Sequence, residues 1–181
     1  MSNIPAAAAP CRESVIGTTR ALAVASSSAE GIRMRGARLC RRAAARTSTK
    51  SAARAEAAAL IRDYYAAFNR GDTEGMLKYL TEDVIHDINQ GERRQGKDKF
   101  RAFNARMTHN YKEELKDIVV MVSKDATRAA AEFNVHGTYL NSEEGLLPAK
   151  GQKYVLPAGT FFVIRDGKIA RVTTYYNLTD W

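Results

Sequence analysis

The sequence predicts an α+β fold, helices first and a mostly antiparallel sheet after them. Three observations predict it. Apolar residues recur at helical spacing from Ala55 to about Met107. Beyond Asn110 the chain turns to β-branched and alternating runs. Those runs are separated by turn sequences, and no strand–helix–strand alternation appears, which argues against a dinucleotide-binding fold.

The first helix is expected over Ala55–Arg70. Leu60, Ile61, Tyr64, Tyr65 and Phe68 form one broad apolar stripe, and Ala57–Ala59 add helix propensity. Gly71 is placed to end it as a C-cap. Asp72 or Thr73 can start a short second helix through about Leu80, with Met76, Leu77 and Leu80 inward. Thr81–Asp83 would break that helix, and Val84–Asn89 reads as a short strand. A charged loop between Gly91 and Gly96 follows. The third helix begins at about Lys97, with Phe100, Phe103 and Met107 on one side.

The sheet region opens with Val119–Val122 and the turn Ser123–Ala126. Arg128–Leu140 alternates, with Ala129, Ala131, Phe133, Val135 and Tyr139 on one face and Glu132, Asn134, His136 and Thr138 on the other. After a loop holding Gly145 and Pro148, Tyr154–Arg165 is apolar on both faces. Asp166-Gly167 is the strongest hairpin signal, and Ile169–Leu178 is the last strand. A strongly bent sheet wrapped around one helix would leave a one-ended cavity.

Charge and aromatics divide the chain at residue 54. Residues 1–54 hold ten Arg or Lys against Glu13 and Glu30, which accounts for the whole net charge of +8. Residues 55–181 are therefore neutral overall and hold all eight Tyr, all six Phe and the single Trp. A basic, Ala- and Ser-rich segment without aromatics cannot bury enough apolar area to offset its ordering entropy, so residues 1–54 are expected to be a disordered tail. That tail fits a transit peptide, sequence upstream of the true start, or a basic arm that binds nucleic acid non-specifically. The protein would then be cytoplasmic, or organellar if the tail is a transit peptide. The domain itself presents no basic surface for specific nucleic-acid binding. No run reaches membrane-spanning length.

Both cysteines, Cys11 and Cys40, lie in the tail, so the domain has no disulfide, no thiolate nucleophile and no Cys-ligated metal. No His-x-x-x-His pair, EF-hand spacing, Walker loop or nucleophile elbow occurs. The expectation is a site with neither metal nor cofactor.

The polar cluster of interest is in Val84–Gly96, VIHDINQGERRQG, where His86, Asp87 and Asn89 fall within four positions. Such a cluster is costly to bury unless it is satisfied or useful. Asp87 in an apolar cavity would serve as a general base or acid; beside Arg93 and Arg94 it would instead be an ion-paired strand end. His86 would shuttle a proton, or be a hydrogen-bonded histidine under the helices. On a regular strand the two point to opposite faces, so one of them lines the cavity. His136 shares a face with Glu132 and Asn134 that is either cavity wall or outer surface.

The run Ile61-Arg-Asp-Tyr64-Tyr-Ala-Ala-Phe68-Asn-Arg-Gly71-Asp72, the pair Glu82-Asp83 and His86-Asp87 resemble the nuclear transport factor 2-like superfamily, which includes SnoaL-like polyketide cyclases and ketosteroid isomerases. The ending, from Tyr154-Val-Leu-Pro157-Ala-Gly159 to Tyr175-Tyr-Asn177, resembles ketosteroid isomerase-related proteins. The resemblance covers residues 55–181 and implies a cone-shaped, cystatin-like fold: three N-terminal helices packed on a curved antiparallel sheet, commonly as a homodimer. It implies a cofactor-independent enzyme moving a proton in isomerisation, cyclisation or dehydration of a small apolar carbonyl compound. A non-catalytic ligand-binding or dimerisation module of the same shape is the alternative. Tyr64 matches the superfamily's oxyanion tyrosine. Asp87 matches the base after a one-residue gap, and Gly159 stands where the second oxyanion acid would be, so efficient steroid isomerisation is not expected. The proton-handling residues expected are Asp87 or His86, with Tyr64 on the oxyanion. Asn89, His136, Phe103 and Tyr175 are the expected substrate contacts.

Overall fold

The computed structural model describes residues 29–89 and 91–177, with side chains from residue 48. Expectations for residues 1–28, and for Leu178 in the last strand, lie outside the described residues. The chain divides into two units, residues 1–41 and 42–181. The second holds the sheet, the core and the cavity described below.

Helix α1 runs Ala29–Asn69. It begins before the Ala55 start expected from the apolar stripe, and the Ala-rich segment that leads into it has high intrinsic helix propensity. The end is as predicted. Gly71 adopts φ 68°; its N–H bonds to the Phe68 carbonyl at 2.8 Å, and the Asp72 N–H bonds to Ala67 at 3.0 Å. This double closure is a Schellman cap. Asp72 then caps α2 (Thr73–Lys78), its Oδ1 accepting from the Gly75 N–H at 2.7 Å.

Strand β1 runs Leu80–Ile88, four residues earlier than expected. The second helix ends at Lys78, before the expected break at Thr81–Asp83, and those residues lie within the strand, with Leu80 and Val84 fully buried. Strand β2 (Arg94–Gln95) folds back on it, and α3 spans Lys97–Asn110. Strand β3 is Tyr111–Val122, of which only the last four residues were expected. It is an edge strand whose first half is rich in charge, which hid it. β4 is Arg128–Tyr139, β5 is Lys153–Arg165 and β6 is Lys168–Tyr176. Asp166 and Gly167 both have positive φ, 52° and 70°, as a type I′ hairpin turn requires.

The six strands form one sheet in the order β2-β1-β6-β5-β4-β3. All pairs are antiparallel except β1 with β6, which is parallel. Register shifts interrupt β1/β6, β3/β4 and β5/β6. At the β3 bulge Asp117 sits at φ 56°, and Asn134 Nδ2 donates to its carboxylate at 3.0 Å. Bulges of this kind bend a sheet and increase its twist.

The concave face packs on α1. Ile61, Tyr64, Tyr65 and Ala67 meet Ala129, Ala131, Phe133, Phe162, Ile169 and Val172 in one buried cluster. The Tyr65 ring lies 5.1 Å from Phe133 and 5.9 Å from Phe162, both edge-on, a geometry that adds to the burial energy of aromatics. Asn69 fastens the helix end to the sheet: its amide donates to the Leu115 carbonyl at 3.0 Å and accepts from the Leu115 N–H at 2.8 Å. Helices and sheet close imperfectly toward the β2 and α3 end, and a cavity remains there.

Candidate active site

That cavity has a volume of about 560 Å³. Its walls are the concave sheet face, α1 and α3, with the β1–β2 turn and the β4–β5 loop at one side. The lining is mostly apolar and aromatic, with a few polar groups, the ordinary make-up of a small-molecule site. Which side chains enter is decided by strand parity.

In the second half of β1, His86 and Ile88 face in. His86 lines the cavity and is 5% exposed, its ring 4.8 Å from Phe100 and 4.9 Å from Phe103. Its Nδ1 is buried and has no hydrogen-bond partner among the described residues. Burial first, and the positive charge of Arg94 second, pull its pKa down to about 4, against a smaller opposing pull from Asp87. His86 is thus a neutral imidazole at physiological pH.

Asp87 points to the opposite, outer face. Arg93 donates to it through Nε at 2.9 Å and a terminal nitrogen at 3.1 Å, and Arg171 donates at 2.9 Å. The Arg93 hydrogen bond is the main reason its pKa falls below the usual carboxylate range. A carboxylate so held is a poor base, and it does not line the cavity. The expected proton-handling place of Asp87 is corrected on both counts.

The same parity moves two expected substrate contacts. His136 pairs with Val155 of β5 on the outer face, and Tyr175 is 51% exposed there with its ring 6.1 Å from Phe161. Neither lines the cavity; their inward neighbours Val135, Thr174 and Tyr176 do. Phe103 does line it. Asn89 sits at the rim with φ 41°, and its side-chain oxygen accepts from the Tyr176 N–H at 3.0 Å, so it ties β1 to β6. Tyr64 lines the deep end, buried against Tyr65 and Phe162, and burial raises its pKa well above the ordinary value. The neighbouring Tyr65 hydroxyl is buried beside Thr160 without a hydrogen bond of normal geometry.

Three inward residues were missed. Glu113 of β3 lines the cavity, and Tyr154 of β5 reaches across β4 to donate to its Oε1 at 2.6 Å. Gly137 makes this reach possible: the Tyr154 ring occupies the space that a Cβ at 137 would need. Burial raises the Glu113 pKa, and the Tyr154 hydrogen bond offsets part of the rise. No cation pairs with it among the described residues. Glu143, from the β4–β5 loop, is the third. Tyr111 donates to it at 2.9 Å and Arg106 of α3 lies 3.3 Å away, which fastens that loop at the rim.

A wider depression of about 1110 Å³, bounded by Asp117, Glu132, Asn134, Gly159 and Tyr175, opens on the outer face. It is larger but shallow, and its carboxylates lie toward solvent. The cavity between helices and sheet, with its buried imidazole and half-buried carboxyl, is the better candidate for chemistry. Among the described residues no cluster of ligating side chains could hold a metal ion. No described helix is long and apolar enough to cross a membrane.

Comparison with known proteins follows this geometry. A family model described as SnoaL-like domain matches residues 61–172. The solved structure of a candidate polyketide cyclase from Xanthomonas campestris pv. campestris is 53% identical, with a TM-score of 0.70, covering 71% of this chain and 96% of its own. Another, from Pseudomonas putida KT2440, is 62% identical at TM-score 0.68, covering 69% and 94%. An LEH-like epoxide hydrolase from M. tuberculosis shares the fold at 16% identity, TM-score 0.57, covering 70% and 81%. Among curated proteins nothing matches.

Proposed function

Because the chain belongs to the SnoaL-like domain family, we propose that it is a cofactor-independent enzyme that moves a proton on a small, largely apolar carbonyl compound held in the cavity. One observation carries this reading: Glu113 is a carboxyl lining an apolar cavity, with no cation paired to it among the described residues and with its pKa raised by burial. A base tuned upward toward the working pH is what abstraction of a proton next to a carbonyl needs.

In the proposed step Glu113 takes the proton from carbon, and the C–H electron pair becomes the enolate double bond. Negative charge collects on the carbonyl oxygen. The neutral His86 imidazole, tilted against Phe100 and edge-on to Phe103, can donate an N–H to that oxygen. Return of the proton to another carbon completes an isomerisation; attack of the enolate carbon on a second carbonyl, with the proton on Glu113 passing to the alkoxide so formed, completes a cyclisation. Tyr154 orients Glu113 through the 2.6 Å bond. Tyr64 stays a candidate donor at the deep end. The test is turnover by Glu113→Gln across a panel of enolisable ketones and dicarbonyls. Loss of turnover with retained binding supports the reading; full turnover moves the proton to another group, and binding without turnover by the unaltered chain favours a binding module.

The expected homodimer finds support on the outer sheet face. Val119, Met121, Val155, Phe161 and Tyr175 are all close to half exposed or more there. Five large apolar side chains on one face of β3–β6 form a patch of the kind that marks interaction sites. Light scattering in solution tests it: a dimer mass that Phe161→Glu converts to monomer is expected.

A further inference from the structure

Arg94 stands directly opposite His86 in the β1–β2 pair. Opposed residues of an antiparallel pair carry their side chains on one face, within reach of each other. Arg94 therefore lines the cavity next to the imidazole, and it is only partly exposed. Its guanidinium carbon lies 4.5 Å over the Phe103 ring, whose edge-on neighbour on the cavity side is His86 at 4.9 Å. Stacking on a ring leaves the planar N–H fork pointing sideways, ready for a two-toothed acceptor.

The arginines around it are neutralised. Arg93 and Arg171 share Asp87, Arg101 holds Glu74 and Asp98, Arg106 faces Glu143, and Arg165 bonds Asp83. Arg94 donates to the Glu92 backbone carbonyl at 3.2 Å, and among the described residues no carboxylate lies within ion-pair distance of it. A half-buried guanidinium without a counter-charge is costly to keep in an apolar wall. Here a counter-charge has a place to come from, because Arg94 lines the cavity.

We propose that Arg94 is the anchor for a carboxylate carried by the substrate. The cavity then takes a small acid whose apolar, carbonyl-bearing part lies further in, on the acid/base groups, while its carboxylate rests on Arg94. A doubly charged group such as a phosphate monoester fits less well. Arg106 is already paired, and Glu143 and Glu144 also line the rim. Among the described residues of the cavity wall one cation is left unpaired, which matches one negative charge. This inference rests on the cavity reading above and narrows its substrate class to oxo-carboxylic acids.

The probes are 4-oxo-4-phenylbutanoate and its methyl ester, titrated calorimetrically into the full chain at low salt. The acid is expected to bind about tenfold tighter or more, the scale of charge-assisted hydrogen bonds. R94Q should bring that ratio close to one while the ester affinity changes by less than about twofold. R94K, which keeps the charge but not the fork, should restore part of the preference. R106Q should leave most of it. Equal affinity for acid and ester in the unaltered chain, or a ratio that R106Q rather than R94Q abolishes, overturns the anchor and leaves the cavity reading standing. Absence of binding by both compounds overturns the cavity reading and the anchor with it.

Discussion

Tyr154 Oη donates to Oε1 of Glu113 at 2.6 Å, across a strand that has a glycine at the crossing point. Two residues 41 apart in sequence are thus joined inside the cavity, and the carboxyl is fixed in one orientation. This pair is the structural basis for treating Glu113, and not Asp87, as the group that handles the proton.

Gly137→Ala tests the crossing. The new Cβ would occupy the Tyr154 ring and force it off Glu113. Overpacking of this sort costs about 1–3 kcal/mol. Chemical unfolding should show that loss, and Tyr154→Phe should lower turnover with a smaller change in stability, since it removes the hydrogen bond and keeps the ring.

The buried imidazole makes stability depend on pH. His86 titrates near 6.5 in the unfolded chain and at about 4 in the fold. Its folded value is depressed, so its contribution is fully present above 6.5 and is lost as pH falls through about 4. The loss from this group is about 3 kcal/mol at most, at about 1.4 kcal/mol per tenfold. Urea unfolding between pH 7 and 4 should show the decline, and His86→Gln should flatten it. Glu113 acts in the opposite sense: its folded value is raised, so its contribution is present at low pH and is lost as pH rises through that value.

Asp87→Asn should leave any turnover within about twofold. Its carboxylate faces away from the cavity and serves Arg93 and Arg171. Loss of these partly exposed pairs should lower stability by about 1 kcal/mol, read as a shift in the unfolding midpoint. A large loss of turnover with unchanged binding would return the proton to this residue.

The sequence made the fold legible and the site only in part. Helix stripes at Leu60–Phe68 and Phe100–Met107, the Gly71 cap and the Asp166-Gly167 turn act locally, so their chemistry can be read without partners. Cavity membership is not local. It depends on which parity of each strand faces in, and one step reverses the answer. Asp87 therefore reads as an alternative to His86, and His136 and Tyr175 as substrate contacts, although all three lie on the other face. Glu113 was hidden in Lys112-Glu-Glu-Leu-Lys116, which reads as a solvated charged run. The usable signal was alternation: Tyr111, Glu113 and Leu115 on one side, Lys112, Glu114 and Lys116 on the other. An edge strand keeps one wet face, so charge there does not exclude a strand.

The most direct test of the account is the pH profile of kcat/KM for the unaltered chain and for Glu113→Gln, on whichever enolisable ketone turns over. The account predicts activity that rises with pH through a value above the ordinary 4.5 of a glutamate, and a loss of about a hundredfold or more in Glu113→Gln with binding retained. A variant with undiminished turnover and the same profile would contradict it.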